Sequence, residues 1–328
     1  MKSPRTLPET RLVAVAIVLV VLAQLGYSVA QVVSLIQSRE LWIADLANFI
    51  RPHLLLAGVV LFVAGMALPR RATKIGGFVA LLAAILPYAF LPSPAPDLGG
   101  RELTLVSANV LVDNPDPQPF LSIPEVVSSD ILVLQEMRPQ WQDALVASGY
   151  WPHESNRDLR VNSDMKVFSR FPILDERTVS PESRDTGGRH AVRLELMVDR
   201  RPVILYAIHP QTPRRAGMWR ERAAYFRDLE ASLRDEPPDA AVIVAGDWNI
   251  PPWSPFFRDF LWTTGYNTTE SRWWPEPTRF STRFGGITWL GTPIDRVVLS
   301  PNVGLAELAM GPQFGSNHLP VIARLSIP

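Results

Sequence analysis

The sequence predicts a layered α/β domain that follows a membrane region. Eight short apolar runs recur in the last two-thirds of the chain, each bounded by polar residues as buried strands are. They cover residues 103–108, 131–134, 165–168, 191–198, 203–208, 241–245, 294–299 and 319–325. Two helical patterns, 138–148 and 213–234, fall between some of these strands without strict alternation. This order favours a layered α+β or α/β domain over a repeated strand–helix–strand unit.

The first hundred residues contain three long runs that lack Asp, Glu, Lys and Arg. The runs cover residues 12–38, 52–69 and 75–96, which are 27, 18 and 22 residues long. Because about 20 apolar residues span a bilayer, we predict three transmembrane helices, at about 12–36, 52–69 and 75–92. The second run is the shortest, and Pro52 and His53 lie at its start.

A Pro-rich segment, 92–96, follows the third run. Alternating prolines form a stiff, extended spacer. We therefore assign residues 1–96 to a membrane region with its spacer and residues 101–328 to a soluble domain of 228 residues, which is large enough for a substantial core.

The first apolar run has an alternative interpretation as a cleaved signal peptide. Lys2, Arg5 and Arg11 form a basic leader, and Ser28-Val29-Ala30 resembles a cleavage site. The apolar part is longer than the ~7–15 residues usual for such peptides, which favours an uncleaved anchor.

The charges of the short loops predict the orientation in the cell membrane. Arg70, Arg71 and Lys74 lie between the second and third runs, and the N-terminal leader is also basic. The positive-inside rule places both in the cytoplasm. The third helix then exits, so we expect a multi-pass protein of the cell membrane whose soluble domain lies outside the cytoplasm. Cleavage after Ala30 would not change that side.

Composition excludes several kinds of chemistry. The chain has no cysteine, so disulfides, thiolate metal sites and cysteine nucleophiles are excluded. Residues 101–328 hold 24 Lys and Arg against 28 Asp and Glu, a net charge of about −4. Proteins that bind duplex DNA without sequence preference carry a basic surface, so nucleic acid is a possible partner that the charge does not favour.

Seven polar side chains lie at the ends of the predicted strands. The clearest case is Gly246-Asp247-Trp248-Asn249, where a carboxylate and an amide follow a buried strand. Such a segment can also be an ordinary Asx turn. The full set is Asn109, Glu136, His209, Asp247, Asn249, Asp295 and His318. Because strands of a layered sheet bring their ends to one edge, these side chains predict a shared cleft.

The segments that carry these residues resemble the endonuclease/exonuclease/phosphatase superfamily, whose members are DNase I-like. The resemblance covers nearly all of residues 103–325. It rests on 107–110, 134–136, 168–172, 208–210, 246–249, 294–296 and 315–320. The three leading spans resemble a bacterial membrane-anchored branch of that family. The resemblance implies a four-layered sandwich, in which two mixed β-sheets pack face to face with helices outside.

The resemblance also implies divalent-metal-dependent hydrolysis of phosphoesters, with Mg²⁺ or Mn²⁺ as the cofactor. It makes Glu136 the main metal carboxylate and places Asn109 close by. Mg²⁺ takes oxygen ligands and keeps several waters, which suits one carboxylate with amide neighbours. Asp247 would orient or deprotonate the attacking water.

The remaining members of the set are implied to act on the phosphate. Asn249 would hold a phosphate oxygen. His209 and His318 would contact the phosphate, one of them as a general acid or base. Asp295 would hold His318 in the required tautomer, as carboxylates often do for imidazoles.

One residue departs from the family pattern. Asn317 stands where the family usually has Asp, in Ser316-Asn317-His318. The amide keeps the shape and loses one negative charge, so we expect reduced activity. Arg170 is a supporting candidate, more typical of a structural anchor for its loop than of a catalytic group.

Two further groups of residues have alternative interpretations. Aromatic side chains are dense between residues 253 and 289, where they form either a packed core or an apolar wall that suits a lipid or aromatic leaving group. Four arginines, Arg214, Arg215, Arg220 and Arg222, form either a solvated helix face or a site for a phosphorylated headgroup.

The leading hypothesis is a membrane-anchored phosphodiesterase or phosphatase that acts outside the cytoplasm on a phospholipid or other small phosphoester. An extracytoplasmic DNase I-like nuclease is the first alternative. A membrane-tethered, catalytically attenuated binding module, motivated by Asn317, is the second.

Overall fold

A computed structural model describes residues 9–156, 164–180, 182–270, 275–282 and 286–328. The chain divides into two compact units. The first consists of Met1–Leu91 together with Trp253–Pro255, and the second of Pro92–Pro252 with Phe256–Pro328.

The first unit is helical. Its helices are α1 (Glu9–Gln37), α2 (Trp42–Leu46), α3 (Arg51–Ala67) and α4 (Arg71–Ile85), with 3₁₀ turns at Ala47–Ile50 and Leu86–Phe90. Three stretches are long and apolar enough to cross a membrane: Arg11–Gln37, Trp42–Ala67 and Arg71–Phe90. The second begins about ten residues earlier than we expected, because α2 and its 3₁₀ turn continue into α3 and Pro52 is tolerated in the first helical turn.

Small and polar residues join these apolar helices. A side chain at Gly58 would collide with Ala84, and one at Gly65 would collide with the carbonyl of Thr73. The Gln24 amide of α1 donates hydrogen bonds to the carbonyls of Leu61 and Thr73, each at 3.0 Å. In lipid no hydrophobic effect drives apolar helices together. Helices there associate through close backbone packing and interhelical hydrogen bonds.

The second unit contains two mixed β-sheets, each with six strands among the described residues. The first sheet has the order β11-β12-β1-β2-β4-β3 and the second β5-β6-β7-β8-β10-β9. The strands are β1 (Arg101–Asn109), β2 (Ile131–Gln135), β3 (His153–Glu154), β4 (Lys166–Ser169), β5 (Ile173–Thr178), β6 (Val192–Val198), β7 (Arg201–Ile208), β8 (Ala241–Asp247), β9 (Asn267–Thr268), β10 (Asp295–Leu299), β11 (Gly304–Met310) and β12 (Val321–Ile327).

Helices cover the outer faces of both sheets, which confirms the predicted four-layered sandwich. The first sheet packs its outer face on the segment that holds α5 (Gln118–Leu121), α6 (Pro124–Val127) and α7 (Pro139–Ser148). The second packs on α8 (Ala216–Arg234) and α9 (Pro255–Thr264). Between the sheets lies a third, entirely apolar cluster drawn from the inner faces of both.

The strand periodicity of two places the polar residues in the layer between the sheets. In β1, Leu103 and Leu105 face that layer whereas Val106 faces the helices, so Asn109 continues the inner row. In β8, Ile243 and Ala245 are inner, so Asp247 is too. The polar set therefore extends the inter-sheet core at one edge.

Some elements differ from the sequence expectation. The sequence pattern does not predict strands β3, β5, β9 and β11 or helices α5, α6 and α9. Strand β5 carries an Asp-Glu-Arg run on a half-exposed edge, which hides its period. The last strand begins at Val321 rather than at 319, because Pro320 cannot donate to a strand ladder.

The Pro-rich stretch expected as a spacer, 92–96, is in part attached to the second sheet. Pro94 bridges to Thr268, and the Ala95 amide donates to the Thr268 carbonyl at 2.8 Å. The Ala95 side chain is buried in the inter-sheet core. This end of the segment therefore belongs to the folded unit.

Candidate active site

Six strand ends, those of β1, β2, β7, β8, β10 and β12, bring the seven predicted residues into one connected cluster. Asp247 and Asp295 are directly paired between β8 and β10. β7 and β8 are parallel with Ile208 opposite Gly246, so His209 follows beside Asp247. Asn109 ends β1 opposite Gln135, the residue before Glu136. The registers therefore gather these residues at one edge of each sheet, and the hydrogen bond from Asn109 to Asp247 joins the two edges.

Gly246 permits the close approach of β7 and β8. Its φ is 152°, and an added Cβ would lie 2.0 Å from the carbonyl oxygen of Ile208. Only glycine fits there without displacing backbone. The glycine of the Gly-Asp-x-Asn segment thus sets the spacing of Asp247 from His209.

Glu136 lies at the edge of the cluster in a left-handed backbone conformation, with φ 56°. Such strain in a non-glycine residue is typical of functional sites. Asn109 Nδ2 donates to Oε1 at 3.0 Å and the Val112 amide donates to Oε2 at 3.1 Å. Burial acts to raise the pKa of Glu136, but the Asn109 bond, the attraction of His209 and the Val112 bond together lower it. The group is an ionised carboxylate, with 26% of its side chain exposed.

Asn109 links the two carboxylates rather than presenting its oxygen to the cleft. Its Nδ2 also donates to Asp247 Oδ2 at 3.2 Å, and its Oδ1 accepts the Leu111 amide at 3.0 Å. As a metal ligand, which we expected from the sequence, it would use the second lone pair of that oxygen.

Asp247 is the buried centre of the cluster. Burial raises its pKa, and the neighbouring charge of Asp295 raises it further, against the opposing attraction of His318 and His209. Its Oδ1 accepts the Asn249 amide at 2.9 Å. Asp247 is therefore a more basic carboxylate than an exposed one.

Asn249 is fixed in the turn after β8. It has a φ of 49°, which Asn tolerates better than most residues. Its Nδ2 donates to the Pro210 carbonyl at 3.0 Å. This leaves the second N–H of that amide for another acceptor.

His318 and Asp295 form a buried pair. The distances from His318 Nδ1 to the two carboxylate oxygens are 2.8 and 3.0 Å. Nδ1–H donates to the carboxylate, which turns Nε2 toward Asp247 Oδ2 at 4.0 Å. Burial alone would lower the pKa of His318, but the charge and hydrogen bond of Asp295 and the charge of Asp247 raise it.

His209 has a similar bond to a partner that the sequence did not predict. Its Nδ1 lies 2.8 Å from Asp164 Oδ2, and its Nε2 lies 3.8 Å from Asp247 Oδ2 and 4.0 Å from Glu136 Oε1. Arg189 Nη1 lies 3.1 Å from Asp164 Oδ2 and 2.8 Å from the same His209 Nδ1, and it donates to the His209 carbonyl at 3.2 Å. Burial acts to raise the pKa of Asp164, but His209 and then Arg189 hold it well below its usual range.

Asp164 and Arg189 lie in loops, where no apolar period marks a position. Asp164 immediately precedes the apolar run predicted at 165–168, which was the available signal. Its carbonyl accepts the Met137 amide at 3.0 Å, so the same residue also ties down the segment after Glu136.

The donors present fit a hard divalent cation. One ligand atom from each of Asp247, Asp295 and His318 lies within 4.8 Å of the others, although His318 and Asp295 already bind each other. Glu136 adds an ionised carboxylate at the cleft. Among the described residues, Asn317 Oδ1 is a buried oxygen without a hydrogen-bond partner. Carboxylate and amide oxygens are the ligands that Mg²⁺ prefers.

Arg170 lies away from this cluster. Its Nη2 donates to the Val127 carbonyl at 2.8 Å. The preceding Ser169 pairs with Ile131, which is the end of β2 opposite to Glu136. Arg170 therefore has the contacts of a loop anchor.

The structure divides the other candidate residues. Arg222 is buried, whereas Arg214, Arg215 and Arg220 are exposed on or before α8. Most described aromatics of the dense segment are core residues, and two are exposed, Trp262 (90%) and Trp289 (72%). Trp273, Trp274 and Phe284 lie outside the described residues.

The model of the Endonuclease/Exonuclease/phosphatase family matches residues 106–318, well over half of the chain. The chain belongs to this family, and its second unit has the fold of the family's phosphoester hydrolases and nucleases.

Solved structures share this fold. An endonuclease/exonuclease/phosphatase from Beutenbergia cavernae DSM 12333 matches with a TM-score of 0.52 and 18% identity, over 69% of this chain and 72% of that chain. The human Nocturnin catalytic domain has a TM-score of 0.53 and 17% identity, over 71% and 96%. A 3'-5' exonuclease from Neisseria meningitidis has a TM-score of 0.52 and 18% identity, over 68% and 100%. No curated protein sequence matches the chain.

Proposed function

We propose that this family member is a membrane-anchored hydrolase that cleaves a phosphoester with the help of Mg²⁺ or Mn²⁺. The observation that carries the proposal is the convergence of two histidine–carboxylate pairs on Asp247, beside the ionised Glu136. A buried basic carboxylate, two imidazoles and an exposed carboxylate are the groups that phosphoester hydrolysis requires.

Glu136 is proposed to hold the divalent cation, with Asn109 as the neighbouring amide. Enzymes of the family are generally hydrolytic on phosphoesters and divalent-metal dependent. A bound cation offsets the charge that develops on the phosphate oxygens and on the leaving group.

Asp247 is proposed to orient and deprotonate the attacking water. Its raised pKa makes it a better base than an exposed aspartate. Its Oδ2 faces Nε2 of both histidines at 3.8 and 4.0 Å. The histidines therefore flank the carboxylate that would receive the proton.

His318, His209 and Asn249 are proposed to contact the phosphate. With Nδ1–H bound to Asp295, Nε2 of His318 carries the exchangeable proton, and the raised pKa favours the protonated form. A protonated Nε2 donates a hydrogen bond to a phosphate oxygen and can transfer a proton to the leaving group. The free N–H of Asn249 supplies a second donor.

The substrate is proposed to be a phospholipid or another small phosphoester outside the cytoplasm. Two observations support this choice: three helices apolar enough to cross a membrane precede the domain, and the soluble domain has no excess of positive charge. The distribution of Lys and Arg in the short loops supports the extracytoplasmic side.

A substrate panel tests the activity. The full chain, purified in detergent or nanodiscs, is assayed with and without Mg²⁺ on phospholipids, small phosphoesters, plasmid and single-stranded DNA. Turnover of a lipid or small phosphoester that disappears in Asp247→Asn is expected. Nicking of DNA without lipid turnover would contradict the lipid or small-phosphoester substrate and would favour the extracytoplasmic nuclease.

Asn317→Asp separates an attenuated enzyme from a binding module. The added charge is expected to tighten Mg²⁺ binding in calorimetry and to raise kcat. Absence of turnover in both wild type and Asn317→Asp would favour the tethered binding module instead.

The absence of native cysteine makes the topology directly measurable. A single cysteine at the exposed Trp262 is expected to react in intact cells with a maleimide that does not cross membranes. A cysteine at the exposed Arg71 is the matched control and is expected to react only after lysis. The reverse pattern would place the domain in the cytoplasm.

A further inference from the structure

We propose that Arg222 and Tyr225 of helix α8 are positioning residues that hold His209 and Asn249 at a fixed spacing. The proposal rests on the proposed function, in which His209 and Asn249 contact the phosphate. It assigns a role in the site to a helix that lies on the outer face of the second sheet.

His209 and Asn249 need support because both lie beyond the ladder of the sheet. β7 ends at Ile208 and β8 ends at Asp247, so no strand partner fixes the backbone of either residue. Asn249 is also in the left-handed region, which a free loop would leave readily. Apart from the bond of the Asn249 amide to Asp247 Oδ1, their positions depend on contacts from outside the sheet.

Helix α8 supplies one such contact to each residue. Arg222 Nη1 donates to the Asn249 carbonyl at 2.7 Å. The Tyr225 hydroxyl accepts the His209 amide at 3.1 Å. Residues three apart project from the same face of a helix, so one rigid element holds both loops.

A third bond closes the arrangement. Asn249 Nδ2 donates to the Pro210 carbonyl at 3.0 Å, which joins the two loops directly. The Arg222 guanidinium also lies over the ring of Phe256, 5.4 Å from its centroid. The loops after β7 and β8 and helix α8 thus form one hydrogen-bonded assembly.

Simple packing does not explain an arginine at this position. The Arg222 residue is 1% exposed, and burying a cation is costly unless it makes specific hydrogen bonds. An apolar side chain would fill the same space without that cost. The guanidinium is suited instead to reach a carbonyl at a defined distance and direction.

Kinetics of four variants test the proposal: Arg222→Ala, Arg222→Lys, Tyr225→Phe and the control Arg227→Ala, which changes an exposed arginine of the same helix. The full chain is assayed on bis(p-nitrophenyl) phosphate with Mg²⁺. Arg222→Ala is expected to lower kcat about tenfold to a hundredfold, with a much smaller change in KM, as for loss of a charged hydrogen bond. Added guanidinium is expected to restore part of kcat in Arg222→Ala, and Arg222→Lys is expected to retain part of it.

Backbone hydrogen exchange provides a readout that does not depend on activity. Tyr225→Phe is expected to speed exchange of the His209 amide, and Arg222→Ala that of Asn249, while the strands keep wild-type exchange. A wild type that is inactive on this probe and on the whole substrate panel would refute the proposed function, and the exchange pattern would still decide whether α8 holds the loops.

Two results would overturn the proposal. One is wild-type kcat and wild-type local exchange in Arg222→Ala and Tyr225→Phe. The other is a loss of kcat that guanidinium does not restore and that accompanies faster exchange throughout the domain, because that is the signature of general destabilisation.

Discussion

The two histidines of the site make similar bonds in different surroundings. His318 and Asp295 are both buried, and Asp295 begins a regular strand of the second sheet. The partner of His209 is Asp164, whose side chain is 36% exposed, lies in a loop and is shared with Arg189. In both pairs the Nδ1–Oδ2 distance is 2.8 Å.

This difference distinguishes two effects of a carboxylate on its histidine, namely the orientation of the ring and the influence of the negative charge. Each carboxylate can fix the tautomer of its histidine, because that requires only a hydrogen bond. The buried charge of Asp295 also raises the pKa of His318. The Asp164 side chain is partly exposed, and the Arg189 guanidinium lies beside both this carboxylate and the His209 ring. We therefore propose the proton-transferring role for His318 and a mainly phosphate-binding role for His209.

Removal of each histidine gives the largest expected contrast. A general acid–base residue contributes about 10²–10⁴ in rate, so His318→Gln is expected to lower kcat by about 10³ and His209→Gln by about ten times less. The measurement is kcat and KM for each on the substrate identified by the panel. His153→Gln, in the short edge strand β3, is the matched control. Equal losses for both histidines would remove the distinction between them.

Neutralising Asp295 tests the electrostatic half of the comparison. The folded-state pKa of His318 is raised, so its imidazolium persists to higher pH than that of a free histidine. Asp295→Asn removes the charge that raises it and lowers that pKa. The falling limb of the kcat/KM profile is therefore expected to move to lower pH, together with a loss of about tenfold to a hundredfold at neutral pH. An unchanged profile would assign this limb to a group other than His318.

The part of the site that sequence reasoning found is the part that lies at strand ends. Asp247, Asp295 and His209 follow or begin apolar runs, and the sheet registers then bring them together. The end of an apolar run marks the end of a strand, and it therefore also identifies the polar residue that follows the strand. The four layers followed from the same pattern and from the resemblance.

The partners of these residues were missed because they come from loops and from a helix. Asp164, Arg189 and Arg222 reach the site only through tertiary packing, and nothing in their local sequence encodes that neighbour. On sequence alone Arg222 fits a solvated helix face or a site for a phosphorylated headgroup, yet it is buried against Asn249. In a helix rich in charged residues, the sequence alone does not show which charged side chain faces the core.

Neutralising Asp164 is the mildest and most discriminating change. Asparagine can still accept the His209 Nδ1–H, and the lost charge is already paired with Arg189. Asp164→Asn is therefore expected to lower kcat only about three- to tenfold, as for a partly exposed pair, and to leave the pH profile in place. Asp175→Asn, at another half-exposed carboxylate that faces an arginine, is the control.

A double-mutant cycle with Arg189→Met completes the contrast. If Arg189 acts only by holding Asp164 and the His209 carbonyl, its loss adds little once Asp164 is neutralised, because residues of one network are not additive. Fully additive losses would instead require Arg189 to contact the substrate by itself. The pH profile of Asp164→Asn could instead shift as far as that of Asp295→Asn. That result would show that exposure and Arg189 do not offset the Asp164 charge. The two histidines would then be electrostatically equivalent.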